Sequence, residues 1–114
     1  MQGKRLDRVN QLIKEEVSTL LQRELKDPRL GFVTVTEVET SKDLRQAKVF
    51  VSVLGDDKQW AASMAALQSA RGFVYNWLRH HLDLRVTPDI EFRADHSMEH
   101  AAKIQSLLKK VQGP

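Results

Sequence analysis

The chain has 114 residues, which is enough for one small domain with a single core and too few for two. Its 41% hydrophobic and 29% charged residues are typical of a folded protein, and a formal charge of +3 favours a polyanionic partner. The absence of cysteine excludes disulfides, thiol catalysis and cysteine-based zinc sites. No apolar run reaches a membrane-spanning length and the N-terminus has no apolar signal region, so a cytoplasmic protein is expected.

The first predicted element is a long helix over residues 5–25. Its apolar residues recur at steps of three and four, which places them on one helical face. These residues are Leu6, Val9, Ile13, Val17, Leu20, Leu21 and Leu25. The opposite face is charged, and two interpretations stay open for it: a solvated surface, or an edge at which Lys4, Arg5 and Arg8 contact phosphates. Pro28 disfavours helical backbone at Asp27 and ends the helix there.

Two strands are predicted next, over residues 32–38 and 46–54, followed by a short third strand over residues 90–93. The first two are rich in β-branched residues and are joined by a short polar connection, which is typical of a hairpin. Pro88 suits the start of an edge strand. One sheet face is expected to be apolar and the other polar. The polar side chains expected there are Thr34, Thr36, Lys48, Ser52, Glu91 and Arg93.

Between the second and third strands, two helical patterns meet at Ala70-Arg71-Gly72 with no linker. A glycine inside a helical pattern costs about 1 kcal/mol relative to alanine, so its presence asks for a reason. One interpretation is a kink that exposes backbone N–H groups as an anion site, with Arg71 and Arg79 adding charge. The other is that Gly72 only lets two helices pack closely.

A final amphipathic helix is predicted from Ser97, with Ser97 as its N-cap. Its apolar residues in phase are Met98, Ala101, Ile104, Leu107, Leu108 and Val111. The element order is therefore α-β-β-α-α-β-α in one domain over residues 1–114, with an ordered core over about residues 5–111. This order predicts an α+β fold in which a three-stranded sheet carries all the helices on one face.

No pattern in the chain supports catalysis. His96 and His100 are four residues apart, but the zinc-protease motif is absent and further ligands are lacking, so no metal is expected. His80 and His81 end a helix, where a structural or RNA-contacting role is favoured over general-base chemistry. Nucleophile and phosphate-loop motifs are also absent, so an enzyme is not expected and no cofactor is predicted.

The aromatic residues divide into two groups. The two tryptophans, Trp60 and Trp77, lie on helical apolar stripes and are expected in the core rather than under RNA bases. Tyr75 lies off the stripe, three residues after Gly72, and is the best candidate for stacking on a base.

Several motifs together resemble the bacterial ribosome-binding factor A family, in order and over nearly the whole chain. They are Asp27-Pro28-Arg29, residues 31–57 (GFVTVTEVETSKDLRQAKVFVSVLGDD), SARGFV from Ser69, TPDIEF from Thr87 and Asp95-His96-Ser97. The resemblance implies a type II KH-like fold, α-β-β-α-α-β with an added C-terminal helix. It also implies that Ala70-Arg71-Gly72 is the family's Ala-x-Gly kink, which replaces the GXXG loop of ordinary KH domains.

The resemblance further implies a non-catalytic factor that binds the free 30S small ribosomal subunit rather than the 70S ribosome. Its expected partner is 16S rRNA near the 5′ end, with roles in late maturation, rRNA processing and cold adaptation. An assembly GTPase is a possible further partner, no membrane is involved, and a monomer is expected. The candidate RNA-binding residues are Ala70, Arg71, Gly72, Tyr75, Arg79, His80, Lys4, Arg5 and Arg8.

Two departures from the family pattern bear on this interpretation. Tyr75-Asn76-Trp77 stands where more basic residues are typical after the kink, and the basic C-terminal tail is short. The alternative function is a KH-like module that docks on a ribosomal protein or a partner GTPase with little RNA contact.

Overall fold

The structure, a computed structural model, describes residues 2–112 and contains four helices and three strands in the predicted order. The elements are α1 (Gln2–Arg23), β1 (Phe32–Thr40), β2 (Gln46–Leu54), α2 (Asp57–Ser69), α3 (Arg71–His81), β3 (Asp89–Ala94) and α4 (Ser97–Gln112). The α+β prediction is thus confirmed, and the element bounds differ from the predicted ones by up to three residues.

The turn that follows α1 is anchored to α2 through one buried serine. The Asp27 carboxylate accepts a hydrogen bond from the backbone N–H of Arg29 at 2.9 Å, which closes the turn after Pro28. The hydroxyl of Ser63 then accepts the Gly31 N–H at 3.1 Å and donates to the Arg29 carbonyl at 3.4 Å. Because Ser63 is fully buried and satisfied on both sides, it fixes the chain at the entry to β1.

The sheet has the order β1-β2-β3, with β1 antiparallel to β2 and β3 parallel to β2. In the parallel pair Gln46 lies opposite Asp89, so β2 and β3 begin at the same end of the sheet. The β1–β2 register shifts between Val35 and Glu37, which leaves Thr36 as a bulge residue. The bulge turns both Val35 and Val38 toward the core, where strict alternation would have separated them.

Helices α1, α2 and α3 cover one face of the sheet and enclose the core. The predicted stripe of α1 is buried from Val9 to Leu21, and it packs against β1 and α3. The predicted polar face is on the opposite side, where Thr34, Lys48 and Arg93 are exposed. The core comprises Val9, Ile13, Val17, Leu20, Leu21, Val35, Val38, Ala47, Val49, Val51, Leu67, Ala70, Val74, Leu78, Ile90 and Phe92.

Helix α4 departs from the expectation that all helices pack on the sheet. Its apolar residues Met98, Ile104, Leu107, Leu108 and Val111 are between 52% and 83% exposed. The predicted stripe exists, but no other element of residues 2–112 covers it. The N-cap prediction is also wrong: Ser97 is the first helical residue, and its N–H is accepted by the Asp95 carboxylate at 2.9 Å.

Candidate nucleic-acid interface

Helices α2 and α3 are joined by a single residue, Ala70. Its N–H donates to the Ala66 carbonyl at 3.0 Å and its carbonyl accepts from the Val74 N–H at 2.9 Å, so both helices are bonded to the same residue. The backbone there has φ −89° and ψ 0°, and no side chain caps the start of α3. The predicted kink is confirmed. Ala70 itself is only 8% exposed and belongs to the core, so it holds the junction rather than offering its side chain to a partner.

Gly72 lies in the first turn of α3, exposed to solvent. A β-carbon built at this position would meet nothing within 4 Å, apart from the helix's own neighbouring backbone. The interpretation that Gly72 allows two helices to pack closely is therefore wrong. Its φ is not positive either, since Gly55 is the glycine of residues 2–112 with such a value. What Gly72 provides is bare helical backbone that an outside molecule can approach.

Three predicted site residues line one open cleft of about 580 Å³ beside this junction: Arg71, Gly72 and Tyr75. The opposite wall is the end of the sheet at which β2 and β3 begin. The residues lining that cleft, which we call the junction cleft, are Gln46, Gln68, Arg71, Gly72, Tyr75, Asp89, Ile90 and Glu91. The guanidinium of Arg71 donates to the Gln68 carbonyl at 3.4 Å, which orients it along the cleft wall.

The residues that line the junction cleft carry no net positive charge. Arg71 is the only cation among them, and Asp89 and Glu91 face it from β3. Arg93 partly offsets Glu91 through an ion pair of 2.9 Å. The cleft is thus better equipped with hydrogen-bonding groups, bare backbone and one aromatic ring than with charge.

Arg79 and His80 lie outside the junction cleft. Arg79 follows Arg71 by eight residues, which is about 12 Å along a helix. His80 lines a separate shallow groove of about 200 Å³ with Phe73 and Trp77, and its Nδ1 lies 2.7 Å from the Asn76 carbonyl. Arg79 follows Gly72 by seven residues, which is two turns along the same face of α3, whereas His80 lines a different groove. A contact of either residue with RNA stays a prediction.

The predicted basic residues of α1 are also absent from the lining of the junction cleft. Lys4, Arg5 and Arg8 are all exposed, and Arg5 lines a second cleft. This second cleft, of about 340 Å³, contains two cations that the sequence analysis missed, Lys42 and Arg85. A signal was available: both lie in loops just before the starts of β2 and β3, which parallel pairing brings to one end of the sheet.

Both tryptophans pack as predicted and also form polar contacts. Trp60 is 6% exposed, and its indole N–H donates to the Glu99 carboxylate at 2.7 Å. Trp77 is partly buried against the core, and its indole N–H donates to Glu16 of α1 at 3.0 Å. Each ring also contacts a histidine: the Trp77 and His81 rings are stacked with centroids 3.8 Å apart, and the Trp60 and His96 rings are tilted by 32° with centroids 4.1 Å apart.

The start of α4 is held by a short hydrogen-bonded network. The Thr36 hydroxyl donates to the Asp95 carboxylate at 2.7 Å, and together with the Ser97 contacts it lowers the pKa of Asp95 to about 2. His96 lies 3.1 Å from the Glu99 carboxylate and lowers the pKa of Glu99 below its usual value. His96 is therefore occupied by Trp60 and Glu99. Across residues 2–112, no group of three or more His, Asp or Glu side chains could hold a metal ion.

Within the same residues, no helix is long and apolar enough to cross a membrane.

Comparison with known proteins matches the chain to one family. The sequence profile described as ribosome-binding factor A matches residues 5–108. A ribosome-binding factor A from Halothermothrix orenii is 47% identical over 112 residues, which covers 98% of this chain and 92% of the relative. Another from Desulfitobacterium hafniense is 49% identical over 108 residues, covering 95% of this chain and 86% of the relative.

Solved structures agree with this match. The crystal structure of ribosome-binding factor A from Thermus thermophilus superimposes with a TM-score of 0.70 at 26% identity, covering 78% of this chain and 94% of the other. A Thermus thermophilus homology model, fitted into an electron-microscopy map of a complex with the 30S subunit, gives a TM-score of 0.65 at 26% identity over 76% of this chain and 91% of the other. The predicted KH-like fold is confirmed by these neighbours.

Proposed function

Because the chain belongs to the ribosome-binding factor A family, we propose that it is an assembly factor of the small ribosomal subunit. In this proposal it binds the immature, free 30S subunit through 16S rRNA near the 5′ end, and not the 70S ribosome. It promotes late maturation and rRNA processing and supports growth in the cold. It acts in the cytoplasm as a monomer, by binding alone and without a catalytic step.

The observation that carries the proposal is the family match over almost the entire chain. A structural neighbour described as fitted into a 30S complex supports the subunit as partner. A partner made of RNA also agrees with the net positive charge of the chain.

The junction cleft is the proposed point of contact with rRNA. Bare backbone at Gly72 allows close approach of a sugar-phosphate chain, and uncapped N–H groups at the start of α3 suit a phosphate oxygen. Arg71 supplies one charge, and the half-buried ring of Tyr75 supplies a surface on which an unpaired base can stack.

One observation favours the alternative, a module that docks on a ribosomal protein or an assembly GTPase. The apolar stripe of α4 is uncovered, and an exposed stripe of this kind is the usual ligand of a hydrophobic groove on a protein. The two modes of contact use different parts of the molecule, so a single set of variants separates them.

We expect Arg71→Ala to weaken binding to immature 30S subunits by roughly fivefold, because it removes the one cation of the junction cleft. Unfolding should be unaffected, since Arg71 is exposed. The measurement is co-sedimentation with immature and mature subunits at several salt concentrations. Arg23→Ala, which removes an exposed arginine from the last turn of α1, is the matched control. Equal affinity of the Arg71 and Arg23 variants would move the RNA contact away from the cleft.

Deletion of the gene is expected to slow small-subunit rRNA processing most strongly at low temperature. RNA misfolds are more stable in the cold, so a factor that acts on immature RNA should matter most there. The measurement is the ratio of precursor to mature 16S rRNA in deletion and complemented strains at two temperatures. Normal precursor levels in the cold would contradict the assembly role.

A further inference from the structure

Three unpaired positive charges converge beside the junction cleft, in the second cleft. Three segments that are distant in sequence meet there: Arg5 from the first turns of α1, Lys42 from the β1–β2 loop and Arg85 from the α3–β3 loop. One carboxylate, Asp43, lines the same cleft, so two positive charges are left uncompensated. We call this the basic cleft.

Within residues 2–112, none of the three cations forms an ion pair. The ion pairs found among residues 2–112 join Asp27 to Arg29, Glu91 to Arg93 and Glu99 to His96. None of the three cations takes part in them. They are also exposed, so no packing role accounts for their convergence.

The Asp43 carboxylate is already used inside its own loop. It accepts the Ser41 hydroxyl at 2.6 Å and the Arg45 N–H at 3.1 Å, and these bonds lower its pKa below the usual value. The same loop holds Leu44 at a φ of 62°, a left-handed conformation that is uncommon for residues other than glycine. The loop therefore fixes the backbone next to Lys42, while Asp43 serves the loop rather than the cations.

Three apolar residues, Leu6, Leu44 and Val86, line the basic cleft together with its charged residues. Low-dielectric walls around like charges focus their field, which raises the local concentration of an anion. The three cations come from a helix and two loops, so they surround a ligand rather than line up on one element. This arrangement fits a phosphate group.

The basic cleft lies next to the junction cleft along two chain segments. In one segment, Leu44 lines the basic cleft and Gln46 lines the junction cleft. In the other segment, Val86 lines the basic cleft and Asp89 lines the junction cleft. Two or three residues span at most about 7–10 Å of extended chain. One nucleic-acid strand of a few nucleotides can therefore reach both clefts.

We propose that the basic cleft binds the phosphates of the RNA strand whose adjoining nucleotides occupy the junction cleft. This inference rests on the proposed function. In it, the junction cleft contacts the sugar and base of one nucleotide, and the basic cleft supplies the positive charge that binds the neighbouring phosphates. A phosphodiester backbone is the ligand because the neighbouring cleft offers hydrogen bonds and a ring but little charge. The salt dependence of binding then originates mainly at Arg5, Lys42 and Arg85.

The test uses the double variant Lys42→Ala/Arg85→Ala against the control Arg23→Ala/Lys58→Ala, which removes one lysine and one arginine from exposed positions elsewhere. Affinity for immature subunits should fall about tenfold for the first pair. The plot of log K against log salt should become less steep by about 1.4, because each phosphate contact on a single strand contributes roughly 0.7 to the slope. The control pair should keep the wild-type affinity and the wild-type salt dependence. Equal losses in the two pairs, or no loss in either, would overturn the basic cleft.

A second measurement tests the basic cleft without the subunit. Nuclear magnetic resonance titration of the isotope-labelled full chain with a single-stranded uridine hexanucleotide should shift the signals of Arg5, Lys42 and Arg85. Inorganic phosphate at equal phosphate concentration should shift them far less. Equal shifts would mean a site for free anions and would overturn the assignment to RNA, as would no shift with the hexanucleotide. Oligonucleotide binding here without any binding to immature subunits would refute the assembly role while leaving the RNA-binding cleft.

Discussion

Gly72→Val is expected to lower the affinity for immature 30S subunits by roughly thirtyfold, about 2 kcal/mol, while the protein stays as stable as the natural one. The loss is expected because a branched side chain would occupy the space through which RNA reaches the backbone of α3. Stability should hold because a β-carbon at this position meets no other part of the protein and the backbone is already helical. Valine is even a slightly better helix former than glycine.

The two quantities are measured on the same samples, by denaturant unfolding and by co-sedimentation. Gly72→Ala is the graded control: it should stabilise the helix by about 1 kcal/mol and reduce binding less than valine does. Full binding by both variants would show that nothing approaches the backbone at Gly72. Binding that falls only in step with stability would contradict the structure, which leaves the position open.

Trp60→Ala should cost about 3 kcal/mol of the free energy of unfolding and release the first turn of α4. The ring is buried, so its removal leaves a cavity, and large aromatic truncations cost about 3–5 kcal/mol. The low end is expected because Trp60 lies outside the main core cluster. The same ring packs against His96 and its N–H donates to Glu99, which links α2 to α4.

Denaturant unfolding and amide hydrogen exchange along α4 are the measurements. Trp60→Phe keeps a buried six-membered ring and removes the five-membered ring with its N–H donor to Glu99, so it should cost less than the alanine variant, about 1–2 kcal/mol. Wild-type exchange rates at His100 and Ala101 in the alanine variant would show that Trp60 does not hold α4, since the His100 N–H is the first of α4 to donate to a backbone carbonyl. Equal costs for the two variants would mean that the hydrogen bond, and not the ring, carries the effect.

Local sequence patterns were sufficient for the elements but not for what α4 packs against. The stripe of α1 and the β-branched strands predicted their burial correctly, because each pattern had a matching partner in the same chain. The stripe on α4 obeys the same periodicity and is exposed. Periodicity indicates that one face of a helix is apolar, but it does not indicate which surface, if any, packs against that face. The Thr36 bulge was likewise invisible, since it depends on pairing with β2.

The candidate site shows a similar division. Arg71, Gly72 and Tyr75 were predicted from their closeness in sequence, and neighbours on one helical turn do meet in the junction cleft. Lys42 and Arg85 were missed because they are 43 positions apart in loops without a motif. Only the parallel pairing of β2 with β3 brings them together. Arg79 was predicted to share an edge with Arg71, and it lies about 12 Å further along α3, beyond the residues that line the junction cleft. Its contact with RNA stays a prediction.

Attachment of α4 at one end gives the molecule two separate places for contact. A helix of 16 residues is about 24 Å long, and the protein measures 58 Å along its longest axis against 19 Å along its shortest. Once the domain is seated on RNA, any encounter between α4 and a nearby surface becomes an intramolecular event. Short tethers of this kind give effective concentrations in the millimolar range. A contact by α4 that is too weak to detect by itself would then lengthen the residence time of the whole protein, and its loss would appear in the dissociation rate alone.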